Sequence, residues 1–335
     1  KLFKSVPSET LVMSFKLSIG KLAITKCELR TNEAIAAFRI KDEKIVSQKY
    51  LFYFLSSVDW IALAGRDIKV KGMTLNKAKL REIPISFPSI EKQISIVEKL
   101  DDTFAEIENS VSLLKTRLKN LSTLFNSYIE EKLRNLEKKF PVVELKEVVN
   151  SVEYGTSKKC SKKGEYPVLR MGNMQNGKFN LDDLVYIDDQ IEANKYQINK
   201  FDVFFNRTNS ALHVGKSAIW EKEEKALFAG YLIRVNYDKS KIDPYFLNFF
   251  LNAESTRKYG YSVMTESINQ ANINGSKLKK YPFVRADIDT QKILSSKFLA
   301  LEKTLSEAVN LTKESLELYG KLKERILSEE LKKES

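Results

Sequence analysis

The sequence contains few of the residues that build metal, redox and disulfide sites. Its 335 residues include two cysteines, Cys27 and Cys160, and one histidine, His213. The cysteines are far apart and lack metal or redox spacing, so we expect a reducing, cytoplasmic location. One histidine and two scattered cysteines are too few for a zinc site or a histidine-based catalytic triad. No apolar run approaches the roughly 18 residues of a membrane span, so we expect no membrane partner.

Motifs of nucleotide-dependent enzymes are also lacking. There is no Walker loop and no glycine-rich strand–turn–helix for S-adenosylmethionine. Residues 243–246 are similar to the Asp-Pro-Pro-Tyr loop of amino-methyltransferases but lack the second proline, and Asp243 before Pro244 predicts a helix start instead. Residues 223–225 fit half of a nuclease signature, but without a suitably placed Pro-Asp they are typical of a solvated hairpin tip. We therefore expect no catalytic activity and no cofactor of its own.

Acidic residues are outnumbered by basic ones. The chain has 56 Lys and Arg against 44 Asp and Glu, which gives a formal net charge of +12. A surplus of this size favours a polyanionic partner, because each neutralised phosphate releases condensed counterions. A protein from a lysine-rich proteome has a similar composition without binding nucleic acid, so the charge alone does not decide the function.

The chain is an internal duplication. A shift of 195 residues aligns 20–24 with 215–219, and a shift of 198 aligns Gln93 with Gln291. Further aligned pairs are Ala34 and Ala229, Arg39 and Arg234, Tyr50 and Tyr245, Phe54 and Phe249, Asn76 and Asn274, and Pro84 and Pro282. The matches are collinear, as expected for a repeat. We expect the first copy to be incomplete, through truncation or omission, because Lys1 has no preceding counterpart of about residues 140–195.

Each copy ends in a long helical pattern. From about Ser89 to about Lys139, apolar residues recur at alternating spacings of three and four, which predicts a heptad seam. The seam residues are Val97, Leu100, Phe104, Ile107, Val111, Leu114, Leu118, Leu121, Phe125 and Tyr128. The second pattern, from about Ile288 to Leu331, is looser. It places Glu302, Thr312 and Lys323 on the seam, and a parallel row through Leu294, Leu301 and Leu322 predicts a local stutter.

Such helices need partners in water. A helix of about 50 residues is roughly 75 Å long, and its apolar seam is unstable when exposed. The other copy supplies a helix of matching length, which predicts an antiparallel pair within the chain. A homodimeric coiled coil and docking onto other subunits are alternatives. Between the helices, strand-like segments such as 166–170 and 231–235, a tight-turn signal at 176–177 and a helix from Pro244 to about Lys258 predict a mixed α+β domain.

Several segments in a fixed order resemble the specificity subunits of type I restriction–modification systems. The segments are 155–159, 169–174, 202–210, 214–216, 245–247, 269–273, 277–278, Pro282 and Gln291. The resemblance implies an α+β fold with two repeated target recognition domains, separated by two long helices that form an antiparallel coiled coil. The implied domains are 1–84 (its N-terminal part missing), 85–140 (first spacer helix), 141–284 (second recognition domain) and 285–335 (second spacer helix).

The resemblance also implies a function without catalysis. Each recognition domain would read one half of a bipartite, asymmetric site in double-stranded DNA. The helices would act as spacer and docking surface for two methyltransferase subunits, and motor–nuclease subunits would join for restriction. S-adenosylmethionine, ATP and magnesium are then expected on the partners. The alternative is a coiled-coil scaffold that assembles partner proteins without binding DNA.

Donor-rich loops are the candidate DNA contacts. Arg or Lys suits guanine, Asn or Gln suits adenine, and phosphates need only positive charge or donors. In the second copy the candidates are Lys158, Lys159, Arg170, Asn173, Asn206, Arg207, Thr208, Asn209, Lys216, Asn269, Gln270 and Asn272. In the first copy they are Lys16, Lys21, Arg66, Lys69 and Lys71. Such residues also form ordinary turns. Asn76 and Asn274 occur in both copies, which favours helix caps over base reading.

Overall fold

The computed structural model describes residues 4–16, 18–64, 68–69, 72–73, 80, 83, 85, 87–268 and 270–332. The chain folds into two compact units. Unit 1 comprises Lys1–Leu118 and Asn310–Ser335, and unit 2 comprises Lys119–Val309. Two long helices each contribute residues to both units.

Unit 1 combines short strands with short helices. Its described strands are β1 Lys4–Val6, β2 Leu11–Ser14, β3 Leu22–Ile24, β4 Leu29–Thr31, β5 Ile35–Phe38, β6 Ile68–Lys69 and β7 Gly72–Met73. Its described helices are α1 Gln48–Ser56, α2 Trp60–Ala64 and the first part of the long helix α3 Ile90–Glu137. In the central sheet β2 lies between β3 and β5, while β1 pairs with β4 and β6 with β7.

Unit 2 holds a larger set of strands. They are β8 Val142–Glu144, β9 Val149–Tyr154, β10 Tyr166–Leu169, β11 Met174–Gln175, β12 Lys178–Phe179, β13 Val185–Ile187, β14 Val203–Asn206, β15 Thr208–Asn209, β16 Ser217–Ile219, β17 Leu227–Phe228, β18 Leu232–Tyr237, β19 Thr265–Ser267, β20 Gln270–Asn272 and β21 Pro282–Val284. The sheets have the orders β16-β14-β18-β9, β15-β20-β19 and β13-β10-β17, with the pairs β11-β12 and β21-β8.

The helices of unit 2 are α4 Gln190–Tyr196, α5 Pro244–Asn252, α6 Glu254–Val263, α7 Gly275–Leu278 and the first part of the long helix α8 Ile288–Lys332. Short 3-10 turns occupy Leu145–Glu147 and Met171–Asn173. As the sequence predicts, the side chains of Asp243 and Asn274 cap α5 and α7. Each cap satisfies a helix N–H that has no partner within the helix.

The duplication is confirmed in the backbone. In unit 1, β2 pairs antiparallel with β3 and β5, and in unit 2, β14 pairs antiparallel with β16 and β18. Gly20 precedes β3 and Gly215 precedes β16, and both have a φ of 81°. This left-handed conformation suits glycine, which has no Cβ to clash. In unit 2 the sheet extends by β9, which pairs with β18.

A buried glutamine joins each short helix to its long helix. The Oε1 of Gln93 accepts a hydrogen bond from Ser47 N, and its Nε2 donates to Ile45 O and Pro88 O. The amide of Gln291 makes the equivalent three bonds, to Asp243 N, Lys241 O and Ala286 O. Both side chains are fully buried. Because every polar atom of the amide is satisfied, a glutamine is stable at this depth in either copy.

The caps of the short helices correct one part of the alignment. Ser47 caps α1 and Asp243 caps α5, and the two helices have nine residues each. The offset at this point is therefore 196, one more than the sequence comparison assigns. The buried Tyr50 corresponds to Phe246 and not to Tyr245. The identities of Tyr50 with Tyr245 and of Phe54 with Phe249 are coincidental, because burial and capping fix the register.

The two long helices pair in an antiparallel direction. In unit 1, Lys99 Nζ lies 2.8 Å from Glu330 Oε1, and Lys323 Nζ lies 2.8 Å from Glu108 Oε1, so residue numbers rise on one helix as they fall on the other. The seam residues Val97 and Leu100 are buried in one cluster with Leu327 and Leu331. In unit 2, the ring of Tyr128 packs edge-on against Phe298, with centroids 6.0 Å apart.

The predicted stutter in α8 is wrong. The helix is continuous from Ile288 to Lys332, and the seam keeps its polar members. Thr312 is buried, Glu302 pairs with Lys178 at 3.0 Å, and Lys323 lies over the Phe104 ring as well as beside Glu108. Ion pairs and an aromatic face satisfy these seam side chains, so no change of register is needed, and Leu301 and Leu322 stay exposed.

The predicted helix from Pro244 to Lys258 is broken in two. Ala253, with φ −58° and ψ 146°, separates α5 from α6. Asn252 ends α5 with its side-chain amide bonded to Ser217, accepting from Ser217 N at 3.0 Å and donating to Ser217 O at 3.0 Å. These bonds to β16 anchor the end of α5, and the chain then leaves the helical conformation at Ala253.

Candidate nucleic-acid interface

A stacked arginine and tyrosine form the centre of the candidate interface in unit 2. Tyr154 ends β9, and Arg207 directly follows β14. The Arg207 guanidinium lies over the Tyr154 ring, 4.8 Å from its centroid, and Nη1 donates to Gly230 O at 3.3 Å. Its Nε is buried and meets no acceptor in the part of the chain that the structure describes. The stacking on Tyr154 and the bond to Gly230 therefore hold the guanidinium in position.

The strand after Arg207 carries the site into a small sheet. Thr208–Asn209 pairs with β20, and β20 pairs with β19 to form a hairpin. Asn272 Nδ2 donates to Thr208 Oγ1 at 2.7 Å, which ties the hairpin to the Arg207 strand. Gln270 is exposed and Asn209 half-exposed, with Asn209 Oδ1 accepting from Ser210 N. Tyr231, whose carbonyl accepts from Arg207 N, is also exposed. We name Tyr154, Arg207, Asn209 and Tyr231 the Tyr154 surface, while Gln270 lies on the opposite face of the small sheet, because it is two residues from Asn272, the partner of Thr208.

Three candidate residues are interior in this conformation. Asn206 and Thr208 are buried, Asn206 Nδ2 donating to His213 O and Thr208 accepting from Asn272. Asn173 is also buried, and its amide bonds Arg170 N, Asn180 O and Asp183 O. These side chains hold the loops in shape, because strands and turns direct alternate residues inward. Direct contact with DNA would need them to leave these bonds.

The other predicted basic residues of unit 2 differ in whether they have a carboxylate partner. Lys158 pairs with Asp189, the cap of α4, while Lys159 is exposed on the same loop. The hydrogen bond to Asp189 raises the pKa of Lys158, so its charge is secure at neutral pH. Arg170 Nη2 lies 2.9 Å from Asp183 Oδ2. Lys158 and Arg170 thus have carboxylate partners with which a phosphate would compete.

Two further cations lie close together near Gly215. Burial, followed by the nearby charge of Arg257, lowers the pKa of Lys216. Arg257 donates to Val214 O at 2.6 Å and to Leu212 O at 3.0 Å, so it supports the turn that follows the Arg207 strand. Arg257 belongs to no sequence motif, because a lone arginine on the predicted helix gives no signal of this tertiary contact.

The candidates of the first copy are only partly described. Lys16 is half-buried with its Nζ 5.7 Å from the Phe15 ring centroid, and Lys21 is exposed next to β3. Arg66, Lys71 and, in the second copy, Asn269 lie outside the described residues, as does the side chain of Lys69. Within the described ranges no helix is long and apolar enough to cross a membrane. Nor is any group of three His, Cys, Asp or Glu side chains placed there to hold a metal ion.

Comparison with known proteins gives one consistent family. The family model described as type I restriction modification DNA specificity domain matches residues 2–116 and 137–317. A putative type I restriction enzyme MjaX specificity subunit of Methanocaldococcus jannaschii is 29% identical over 178 residues, 50% of this chain and 42% of that protein. The type I restriction enzyme EcoKI specificity subunit of Escherichia coli is 23% identical over 257 residues, 72% of this chain and 55% of that protein. The chain spans about half the length of these relatives.

Solved structures share the fold. A chain from a structure of the type I R-M system aligns with a TM-score of 0.75 and 13% identity, over 98% of this chain and 83% of that chain. The HsdS subunit from Thermoanaerobacter tengcongensis aligns with a TM-score of 0.55 and 13% identity, over 98% and 82% of the two chains. The fold of two repeated modules with two long helices is therefore that of these subunits.

Proposed function

This chain belongs to the family of type I restriction modification DNA specificity domains, and from that premise we propose that it selects the DNA site of a type I restriction–modification complex. Within this complex the chain recognises DNA and catalyses no reaction. Each recognition module reads one half of a bipartite site, and the long helices separate the modules and bind methyltransferase subunits. S-adenosylmethionine, ATP and Mg²⁺ act on the methyltransferase and motor–nuclease partners.

The observation that carries this proposal is the Tyr154 surface. It presents the residue types that base edges require: Arg207 for guanine and Asn209 for adenine. Stacking on Tyr154 restricts the Arg207 side chain before DNA arrives, which lowers the entropy lost on binding. The exposed Lys159 on the neighbouring loop suits a phosphate, which positions the duplex without reading its sequence.

The two copies support an asymmetric site. The sheet registers pair Ser14 with Ile35 and Asn206 with Leu232, so Ser14 corresponds to Asn206 and the next residue, Phe15, corresponds to Arg207. Phe15 is buried and uncharged, whereas Arg207 is partly exposed and cationic. Different side chains at equivalent positions read different half-sites, whereas identical half-sites would require identical contacts.

Exposed leucines support the docking role of the helices. With the buried seam at heptad positions a and d, Leu113, Leu311, Leu318 and Leu322 of unit 1 lie at positions c or g. Leu113 is 71% exposed, and Leu311 and Leu318 are 64% exposed. A row of apolar side chains on the outer flank of a helix pair is typical of a protein interface. We assign this flank to a methyltransferase subunit.

Mapping of DNA methylation tests the proposal. The chain is co-expressed with methyltransferase subunits from its own genome in a host without DNA methylation, and modified bases are mapped by sequencing. We expect one asymmetric bipartite motif that requires this chain. A chain that captures methyltransferase subunits but directs no motif would contradict site selection and favour a scaffold without DNA.

Variants of the two surfaces distinguish DNA reading from methyltransferase binding. Arg207→Ala should weaken binding of the specific duplex about tenfold or more and relax selectivity at one position of one half-site. Arg285→Ala, an exposed arginine of the same unit, is the matched control and should leave binding unchanged.

The leucine flank is tested separately. Leu311→Ser with Leu318→Ser should reduce methyltransferase capture, while Lys313→Ser with Glu317→Ser, at other positions of the same helix, should not.

A further inference from the structure

The tip of the β19–β20 hairpin presents an isoleucine to solvent. Ser267 pairs with Gln270, so Ile268 lies in the connection between the two strands. Ile268 is 94% exposed, the largest value among the exposed large apolar side chains of the described residues. Two-residue hairpin turns favour asparagine, aspartate and glycine for their backbone conformation. The fold itself gives no reason for an isoleucine at this position.

The tip belongs to the same sheet as the Arg207 strand. The hairpin strand β20 pairs with Thr208–Asn209 on its other side, and Ile273 N donates to Arg207 O at 2.8 Å. A displacement of the hairpin would therefore move the backbone of Arg207. Ile268 is thus coupled to the proposed recognition surface through backbone hydrogen bonds.

The composition of the tip indicates what it contacts. Around Ile268 the exposed side chains are Ser267, Gln270 and, one residue further, Glu266. The carboxylate of Glu266 opposes contact with phosphates, whereas serine, glutamine and glutamate all have partners on base edges in the major groove. A two-stranded ribbon fits the width of that groove. The apolar group that the major groove offers is the 5-methyl of thymine.

We propose that the hairpin enters the major groove and that Ile268 recognises the methyl group of a thymine in the second half-site. The inference rests on the proposed DNA-recognition function. It assigns to the apolar tip a specificity role that hydrogen-bonding residues cannot perform, because a methyl group neither donates nor accepts.

The test replaces thymine by deoxyuridine, which lacks only the methyl group. Each thymine of the mapped site is replaced in turn, and binding of the complete chain–methyltransferase complex is measured for wild type and Ile268→Ala. We expect one replacement to weaken wild-type binding roughly three- to fivefold, the effect of losing one buried methyl contact. The same replacement should leave Ile268→Ala unchanged, because its contact is already lost.

A matched variant and a second readout complete the test. Ile191→Ala removes another exposed isoleucine of unit 2, 78% exposed on α4, and should keep the wild-type response. Equal responses of wild type and Ile268→Ala at every thymine would overturn the inference, and so would loss of methyltransferase capture in Ile268→Ala, which would indicate a protein contact. Failure of the wild-type complex to select any duplex would instead reject the proposed function.

Discussion

The two copies join their short and long helices with the same buried amide but with different neighbours. Gln93 and Gln291 make equivalent hydrogen bonds in units 1 and 2. About two turns further along α3, Asp101 accepts from Tyr53 OH at 2.6 Å and pairs with Lys49 at 2.7 Å, so it also links α3 to α1. At the offsets fixed by the caps and by the glutamines, Tyr53 and Asp101 correspond to Phe249 and Leu299. We call the contact between the short and the long helix of each unit its joint. At these positions the joint of unit 1 is partly ionic, whereas that of unit 2 is apolar.

This difference shows which interactions a duplicated fold must keep. The backbone groups at the start of each long helix need partners whatever the sequence, so the glutamine stays in both copies. Side-chain packing around the amide has several solutions of similar stability, provided that buried polar groups remain paired. Four predictions sharpen the comparison.

The largest effect should come from the aromatic core of unit 2. Phe298 is fully buried and packs edge-on against Phe249, with centroids 5.3 Å apart. Phe298→Ala should lower the free energy of unfolding of unit 2 by about 3–5 kcal/mol, because it leaves a cavity. Leu100 is its counterpart in unit 1, and Leu100→Ala should lower the free energy of unfolding of unit 1 by about 2–5 kcal/mol. Chemical denaturation with hydrogen exchange assigns each loss to its unit, and a loss in the other unit would contradict the prediction.

The shared amide should matter equally in both copies. Gln93→Leu and Gln291→Leu each leave one N–H and two carbonyls without partners, so each should cost about 2–4 kcal/mol. The same measurement checks both variants. Gln190→Leu, an exposed position on α4, is the control and should change stability by less than about 0.5 kcal/mol. A large difference between the two buried variants would show that the joints are not equivalent.

Replacement by alanine should destabilise the protein more at Gly20 than at the equivalent Gly215. A Cβ at Gly20 would lie 2.3 Å from Cδ1 of the buried Trp60, whereas one at Gly215 would lie 3.2 Å from Nη1 of Arg257. Both positions have positive φ, which costs an alanine about 1 kcal/mol. Gly215→Ala should lose about that amount, and Gly20→Ala about 2 kcal/mol or more. Thermal unfolding checks the order, and equal losses would mean that Trp60 moves aside.

The ionic joint of unit 1 should weaken in acid. Burial raises the pKa of Asp101, but hydrogen bonds from Lys49 and Tyr53 outweigh it and hold the net pKa below its ordinary value. The stabilisation is present above the ordinary pKa near 4 and is lost as pH falls through the folded value. Asp101→Asn should cost under about 1 kcal/mol at pH 7, because the pair is partly exposed, and less at pH 3. Urea denaturation at the two pH values checks this, and a pH-independent cost would contradict it.

Much of the fold follows from the sequence, because its signals are periodic. The duplication, the seam of α3 and the caps at Asp243 and Asn274 depend on residue spacing and local hydrogen bonding. The stutter and the unbroken helix after Pro244 are wrong because tertiary partners decide them. Lys178 and Glu108 satisfy the polar seam of α8, and Ser217 anchors the end of α5.

The candidate site is predicted less well, since sequence does not give the direction of a loop side chain. Arg207 lies over the Tyr154 ring, while Asn173 and Asn206 turn inward to hold their loops. Tyr154 itself, which stacks on Arg207, follows no motif and lies distant from it in sequence. Its contact arises only when β9 and β14 assemble on either side of β18.

The repeated glutamine has a consequence for protein engineering. Since Gln93 and Gln291 bind equivalent main-chain atoms, the junction between short and long helix is interchangeable in its hydrogen bonding. A chimera spliced just before either glutamine keeps all three hydrogen bonds of the amide, whichever module precedes it. The position therefore offers a crossover point for new recognition modules, at which only the side chains packed around the amide, such as Asp101 or Leu299, need to be matched to the new short helix.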